Sequence, residues 1–460
     1  MLNRIEVRNF KSFKHLAYKC VKLNLLTGLN GAGKSSFVQL MLLLRGSARE
    51  IAKPCVELDL REMGIANSFS DIRYCYAPKD EATTFSVDFP VRYLTENGEE
   101  IDGPEQRSVR RNLTESTTSR GSILVWHPDA LKKQSQFETE VNETIDRCHE
   151  GKISEEELDA ITQKSENELS AAFAGIERNQ EQIQRQFKNA WRRMMFVGAF
   201  RKRPHEVHDG REFSLRSLIF GSREEFDPEG GDVVEFLYKI GSKLRLRESH
   251  PMCHPHGKLL SFPLIEGKES LLIDQVNAWL DEISPGAKIN IKSESVGDEE
   301  KFVESVDFGE GDLLRAFKPQ NVGFGISYIL PVLVTLLTAR PEDIVIIENP
   351  EAHLHPRGQS EMGRLIACAA ASGVQLFVET HSDHIINGVR VAIKEGVIMP
   401  DDAKVAFFER RKHTIPSEDG KDSVEVYTSE RDILIDKNGA LSEYPTDFLD
   451  EWNNQLMELM

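Results

Sequence analysis

The chain has 460 residues, of which 40% are hydrophobic and 29% charged, with a formal net charge of −18. That length allows two or three domains, or one large α/β domain with insertions, and the composition is that of a globular protein. The acidity argues against a surface that coats nucleic acid non-specifically, and no run approaches the roughly 20 apolar residues a bilayer helix needs.

Residues 3–9 and 21–27 read as strands, joined through Phe10-Lys11-Ser12-Phe13-Lys14. No signal-peptide pattern precedes them, and the six cysteines are scattered without C-x-x-C pairs, so a cytoplasmic protein with reduced thiols and no membrane partner is expected. Directly after the second strand stands Gly28-Leu29-Asn30-Gly31-Ala32-Gly33-Lys34-Ser35, a complete G-x-x-x-x-G-K-S loop, followed by the apolar helical run Phe37–Leu44. Strand, loop and helix in that order make a phosphate cradle. Backbone N–H groups of Asn30, Gly31, Gly33 and the first helical residues, with Ser36 beside them, would face a triphosphate. Lys34 would sit on the β- and γ-phosphates and Ser35 on Mg²⁺. ATP and Mg²⁺ are therefore the expected ligands.

The section to residue 135 mixes short strands (84–89, 123–126) with polar turns, and 95–120 reads as an exposed loop. From 136 to 191 the pattern turns helical, with a capping box at Ser154 and Glu157 and an apolar stripe through Leu158, Ile161, Leu169, Phe173, Ile176, Ile183 and Phe187. That stripe suits a packing face or a partner surface. Arg192, Arg193, Arg201, Lys202 and Arg203, interleaved with Trp191, Phe196 and Phe200, suit a solvated turn as well as a nucleic-acid contact, so nucleic acid stays open as a partner. His250, Cys253, His254 and His256 are chemically fit for zinc, but two prolines break the segment and no second ligand pair follows at the usual spacing.

Beyond 320 the alternation becomes regular: a glycine turn at 321–325, a helix (326–339), a strand (344–348), a helix (358–371), a strand (374–380), a helix (383–395) and a strand (403–409). This predicts an α/β fold with a largely parallel sheet, an antiparallel β edge and an inserted helical segment. The expected divisions are 1–135 and 192–319 for the first and middle parts of an ATPase head, 136–191 for the insertion, 320–410 for the head's last part, and 411–460 for a small extension. Phosphate loop and carboxylates should meet at the carboxyl ends of the parallel strands.

The order of these segments resembles the ABC-type ATPase heads of the SMC-like and OLD-like group. Ile5-Glu6-Val7-Arg8-Asn9-Phe10-Lys11-Ser12-Phe13 looks like their opening strand and turn. Asn321-Val322-Gly323-Phe324-Gly325-Ile326-Ser327 sits where the ABC signature stands, and Glu348-Asn349-Pro350-Glu351-Ala352-His353-Leu354-His355-Pro356 resembles the fused Walker B and D-loop. Val378-Glu379-Thr380-His381-Ser382 resembles the strand-end switch histidine. More closely, the chain is similar to bacterial OLD-like AAA ATPases that end in a small domain of unknown function, with 196–201 and 444–451 as further landmarks.

The resemblance implies two heads packed head to tail around two ATP molecules. The phosphate loop of one would face Asn321, Gly323, Gly325 and Ser327 of the other. It also implies Glu348 at the Mg²⁺ position and Asn349 where the water-activating Glu usually stands. Asn cannot take a proton at neutral pH, so either hydrolysis is slow or Glu351 supplies the base. His381 is the candidate γ-phosphate sensor, and His355 replaces the usual D-loop Asp. Only about 80 residues follow His381, too few for the Toprim nuclease of OLD enzymes. The expected function is an ATP-hydrolysing switch, a homodimer or higher oligomer controlling a separately encoded effector, as in Septu-like or PARIS-like anti-phage systems. The alternative is a DNA-repair or DNA-end-processing ATPase of the RecF or SMC type.

Overall fold

In β1 (Arg4–Phe10) the side chains of Ile5 and Val7 alternate inward, and in β2 (Phe13–Lys19) Phe13, Leu16 and Tyr18 are buried. β3 (Leu23–Gly28) is buried along its whole length, as expected of a strand covered on both faces, and feeds α1 (Lys34–Ala48) through the glycine loop. The computed structural model describes residues 1–48, 55–94, 100–115, 122–126, 128–149, 194–199, 207–209, 231–246, 252–253, 259–260, 271–296, 299–308, 315–317, 325–415, 423–446, 448 and 451–459, with short pieces between 152 and 167.

After α1 come β4 (Cys55–Asp59), the single-turn α2 (Phe69–Ile72), β5 (Thr83–Leu94), β6 (Glu100–Glu115) and β7 (Ser122–Trp126). With β1 and β2 they form an antiparallel sheet in the order β2-β1-β5-β6-β7-β4. The expected loop over 95–120 is thus corrected between 100 and 115, where the chain pairs with β5. Val109, Arg111 and Leu113 point inward there, and the buried arginine disguises the alternation. The following helix, α3 (Pro128–His149), begins eight residues before the expected start at 136, with proline in its first turn, where the missing N–H costs nothing. Ser154 and Glu157 do form a reciprocal capping box: the Glu157 carboxylate accepts from the Ser154 N–H at 2.9 Å, and Ser154 Oγ accepts from the Glu157 N–H at 3.2 Å. The remainder of the expected stripe, from Leu169 onward, lies outside the described residues.

Next are β8 (Met194–Val197), β9 (Val207–Asp209), α4 (Gly231–Phe236) running into a π turn, and the two-residue strands β10 (Met252–Cys253) and β11 (Leu259–Leu260). Helix α5 (Leu272–Ile283) precedes β12 (Ala287–Val296), β13 (Glu299–Phe308) and β14 (Arg315–Phe317), a small antiparallel sheet joined by β9. The regular tail is α6 (Gly325–Thr338), β15 (Ile344–Glu348), α7 (Pro356–Ala371), β16 (Gln375–Glu379), α8 (Asp383–Lys394), β17 (Ala403–Ile415), β18 (Ser423–Leu434) and α9 (Glu451–Leu459).

The central sheet runs β18-β17-β3-β16-β15-β8. β17, β3, β16, β15 and β8 are mutually parallel, and β18 closes one edge antiparallel to β17. One face packs Leu26, Ile346, Phe377 and Phe408 against α1 and the antiparallel sheet, with Phe37 touching both Phe377 and Phe408. The other packs Leu25, Ile347 and Val378 against the helices carrying Val276, Leu333, Leu365 and Ile386. β16 lies between the strand that precedes the glycine loop and the strand that ends in Glu348, and that interposition decides how the site is built.

Candidate functional site

The glycine loop starts where β3 must pass its neighbour β17. Gly28 has φ 132°, and a Cβ there would lie 2.2 Å from the Phe408 carbonyl oxygen. Gly31 (φ 74°) offers its carbonyl to Arg410 Nε at 2.7 Å. Gly33 (φ 113°) leaves room for Thr428, whose hydroxyl donates to the Ala32 carbonyl at 2.9 Å. The loop is therefore braced by the β17–β18 hairpin as well as shaped by its own glycines. Asn30 is exposed and Ser36 half-buried at the head of α1.

Lys34 is 4% exposed and donates to the Gly28 and Leu29 carbonyls at 2.9 and 3.0 Å. Burial holds its ammonium below the ordinary lysine value, and Glu379 pulls the other way. Ser35, one residue on, donates to Glu379 Oε1 at 3.3 Å. Glu379 closes β16 in register with Glu348 on β15, and both lie on the face of the sheet that covers α1, since each is two residues beyond a core residue of that face (Phe377 and Ile346).

Glu348 accepts the Ala199 N–H at 3.0 Å, just past the end of β8. Asn349 turns the chain in the left-handed region (φ 46°), a conformation asparagine tolerates, and its N–H donates to the Glu379 carbonyl at 2.8 Å. That turn brings Glu351 round to accept the His381 N–H at 2.9 Å. Burial and then the Lys34 ammonium hold the His381 imidazole below its ordinary value, so it is neutral at pH 7. Burial, then the Glu348 charge, push Glu379 up to about 7; Glu351 adds to the push, against Lys34 and the Ser35 hydrogen bond.

Lys34, Ser35, Glu348, Glu351 and His381 thus meet at one end of the parallel sheet. Asn349 is there as a backbone turn. Gly325 and Tyr328 stand against the 349–355 turn of their own chain: a Cβ on Gly325 would lie 2.8 Å from the His353 carbonyl oxygen, and the Tyr328 ring meets that of His353 at 4.8 Å. Ser327 Oγ is buried without a hydrogen-bond partner among the described residues. Asn321 and Gly323 lie outside the described residues, as do the basic stretch flanking Met194–Ala199 and the histidines 250, 254 and 256. Among the described residues no histidine, cysteine and carboxylate group has the makings of a metal cluster. His355 caps α7, accepting the Arg357 N–H on Nδ1 at 3.3 Å. The sequence reading passed over Glu379 and the hairpin residues Arg410 and Thr428. A carboxylate ending an apolar strand two residues before His381 was the available signal for the first.

The residues fit Mg–ATP on their own geometry. Glu379 is 6% exposed, and its Oε2 is buried without a hydrogen-bond partner among the described residues, beside a serine hydroxyl and a lysine. A divalent cation would satisfy it, and the glycine loop has the backbone geometry that surrounds phosphates.

Residues 1–217 match a family described as an AAA ATPase domain, and residues 179–387 match one described as an AAA domain, putative AbiEii toxin, type IV TA system. Together the two matches span residues 1–387. Residues 398–459, which include β17, β18 and α9, match a family of proteins of unknown function. Among solved structures, the chain is similar to the Smc head domain of Pyrococcus furiosus with an extended coiled coil, bound to the C-terminal domain of ScpA. Identity there is 11% over 100% of this chain and 99% of the other, with a TM-score of 0.39. An SMC head domain from Thermotoga maritima is 9% identical over 92% and 98%, with a TM-score of 0.36. No curated protein matches the sequence. No helix among the described residues is long and apolar enough to cross a membrane.

Proposed function

We propose that this chain is an ATP-binding and ATP-hydrolysing switch that pairs head to tail with a second copy and controls a separately encoded effector in anti-phage defence. The observation that carries the ATPase reading is the meeting of Lys34, Ser35, Glu348, Glu351 and His381 at the carboxyl end of one parallel sheet. The defence and effector parts rest on the resemblance to OLD-like ATPases and on the toxin–antitoxin description of the family that residues 179–387 match.

In this reading Lys34 would exchange its loop carbonyls for the β- and γ-phosphate oxygens, and Ser35 and Glu348 would hold Mg²⁺. The chemistry such an ion would supply is to offset the phosphate charge that develops during transfer. Glu351 takes the proton of the attacking water, because Asn349 has no basic form at neutral pH. Its bond to the His381 N–H fixes the carboxylate relative to the switch histidine. The neutral His381 ring donates one hydrogen bond toward the γ-phosphate and keeps an acceptor on its other nitrogen. Gly325 and Ser327, with Asn321 and Gly323, close the pocket from the second copy, where the start of α6 adds a favourable helix dipole.

Glu351→Gln tests the assignment of the base. Turnover should fall about a hundredfold or more with ATP affinity kept within a few-fold, the usual scale for losing a general base. Unchanged turnover would remove Glu351 from that role. Co-purification with the product of an adjacent gene would support the effector switch. The repair alternative would instead require DNA binding that weakens steeply with salt, which the net charge of −18 disfavours.

A further inference from the structure

We propose that Glu379 is a ligand-facing carboxylate of the nucleotide site, holding the Mg²⁺ together with Ser35 from the strand that lies between the phosphate-loop strand and the Glu348 strand. The inference deepens the ATPase reading and rests on it. Its position, its partners and its charge support it.

The first is position. Neighbouring strands lie about 4.8 Å apart, so β16 brings Glu379 one strand spacing from β3 while Glu348 on β15 stands two away. Glu379 is accordingly the carboxylate that reaches Ser35, at 3.3 Å. A serine that donates its proton to a carboxylate keeps its oxygen lone pairs for a cation, so this contact is compatible with shared metal binding.

The second is the division of partners. Glu348 Oε2 is held by the Ala199 N–H and Glu351 Oε1 by the His381 N–H. Glu379 directs one oxygen to Ser35, and that contact is what sets it apart from the other two; its second oxygen is buried without a hydrogen-bond partner among the described residues. A carboxylate oxygen desolvated in that way is costly unless something charged completes it.

The third is charge. Glu348 and Glu351 both act on Glu379 to disfavour its charge, and Lys34 is the cation that favours it. A lysine that moves onto phosphates leaves the Glu348 and Glu351 charges acting on Glu379 without that counter-charge. A divalent ion held by Ser35 and Glu379 beside the triphosphate would offset that repulsion. A Glu379 that served Ser35 alone would do so as well with a neutral glutamine amide.

The test is titration of the full chain with a fluorescent ATP analogue, in Mg²⁺ and in EDTA, for the wild type and Glu379→Gln, with thermal melting of both. The variant should lose at least ten-fold of the affinity that Mg²⁺ confers on the wild type, while its affinity in EDTA stays within two-fold. Its melting temperature without nucleotide at pH 8 should equal or exceed that of the wild type, because a buried carboxylate has been neutralised. A wild-type Mg²⁺ gain in Glu379→Gln would overturn the inference and leave the ATPase reading standing. So would an equal loss in Mg²⁺ and EDTA, or a lowered melting temperature, since either would mark a structural role. A wild type that binds no ATP under either condition would overturn both.

Discussion

Lys34→Ala should weaken ATP binding at least a hundredfold while the protein still melts cooperatively close to the wild-type temperature. The two halves of this expectation come from different bonds. In the structure the Lys34 ammonium bonds two backbone carbonyls, Gly28 and Leu29, inside the loop. Those bonds are offset by the burial that disfavours the ammonium, so truncation removes a desolvated charge together with its two bonds and costs the fold little. Against phosphate the same ammonium makes charge-assisted bonds in a site that already disfavours its charge by burial. Losing them should cost about 3 kcal/mol, which is roughly a hundredfold in affinity. Titration with a fluorescent ATP analogue reads the loss, and thermal melting shows that the fold persists. Wild-type affinity in the variant would contradict the assignment of the loop.

Gly28→Ala should do the opposite, damaging the fold before it touches the ligand. Its φ of 132° is a region that side chains rarely adopt, and a Cβ would sit 2.2 Å from a backbone oxygen of β17. Backbone oxygen cannot rotate away as a side chain can. The strain alone is on the order of 1–3 kcal/mol, and relieving the clash means opening the pairing of Gly28 with Phe408. A total loss of about 4 kcal/mol or more is expected, a large part of the 5–15 kcal/mol that holds a typical domain together. Chemical denaturation of the two proteins measures it. A midpoint indistinguishable from wild type would mean that β17 does not press on the loop as described. The wider point is that two glycines of this motif, Gly28 and Gly33, are required by the C-terminal hairpin through Phe408 and Thr428. A phosphate-binding role is not their only constraint, and substitutions there should not be read as nucleotide effects until stability has been measured.

The parts of the site that were legible in the sequence are those where one local pattern carries the chemistry. The glycine loop between an apolar strand and an apolar helix and the Ile344–Glu348 strand with its trailing carboxylate were read where they stand. So were the capped helix after His381 and the capping box at Ser154. What escaped was set by partners far away in the chain. β2 was missed because its buried residues, Phe13, Leu16 and Tyr18, change parity after Phe13. β6 reads as a loop in sequence because an inward position holds Arg111, desolvated enough to bring its pKa to about 10. Glu379 looked like a strand-end residue until the strand order showed β16 next to β3. Arg410 and Thr428 carry no motif at all, and only the pairing of β17 with β3 brings them to the loop.

ATP turnover by the full chain in Mg²⁺, with Lys34→Ala as the blank, tests the ATPase assignment most directly. Phosphate release above that blank is expected, abolished by EDTA and greatly reduced by Glu351→Gln. Release no greater than that of Lys34→Ala at saturating ATP, from protein shown to be folded, would contradict it.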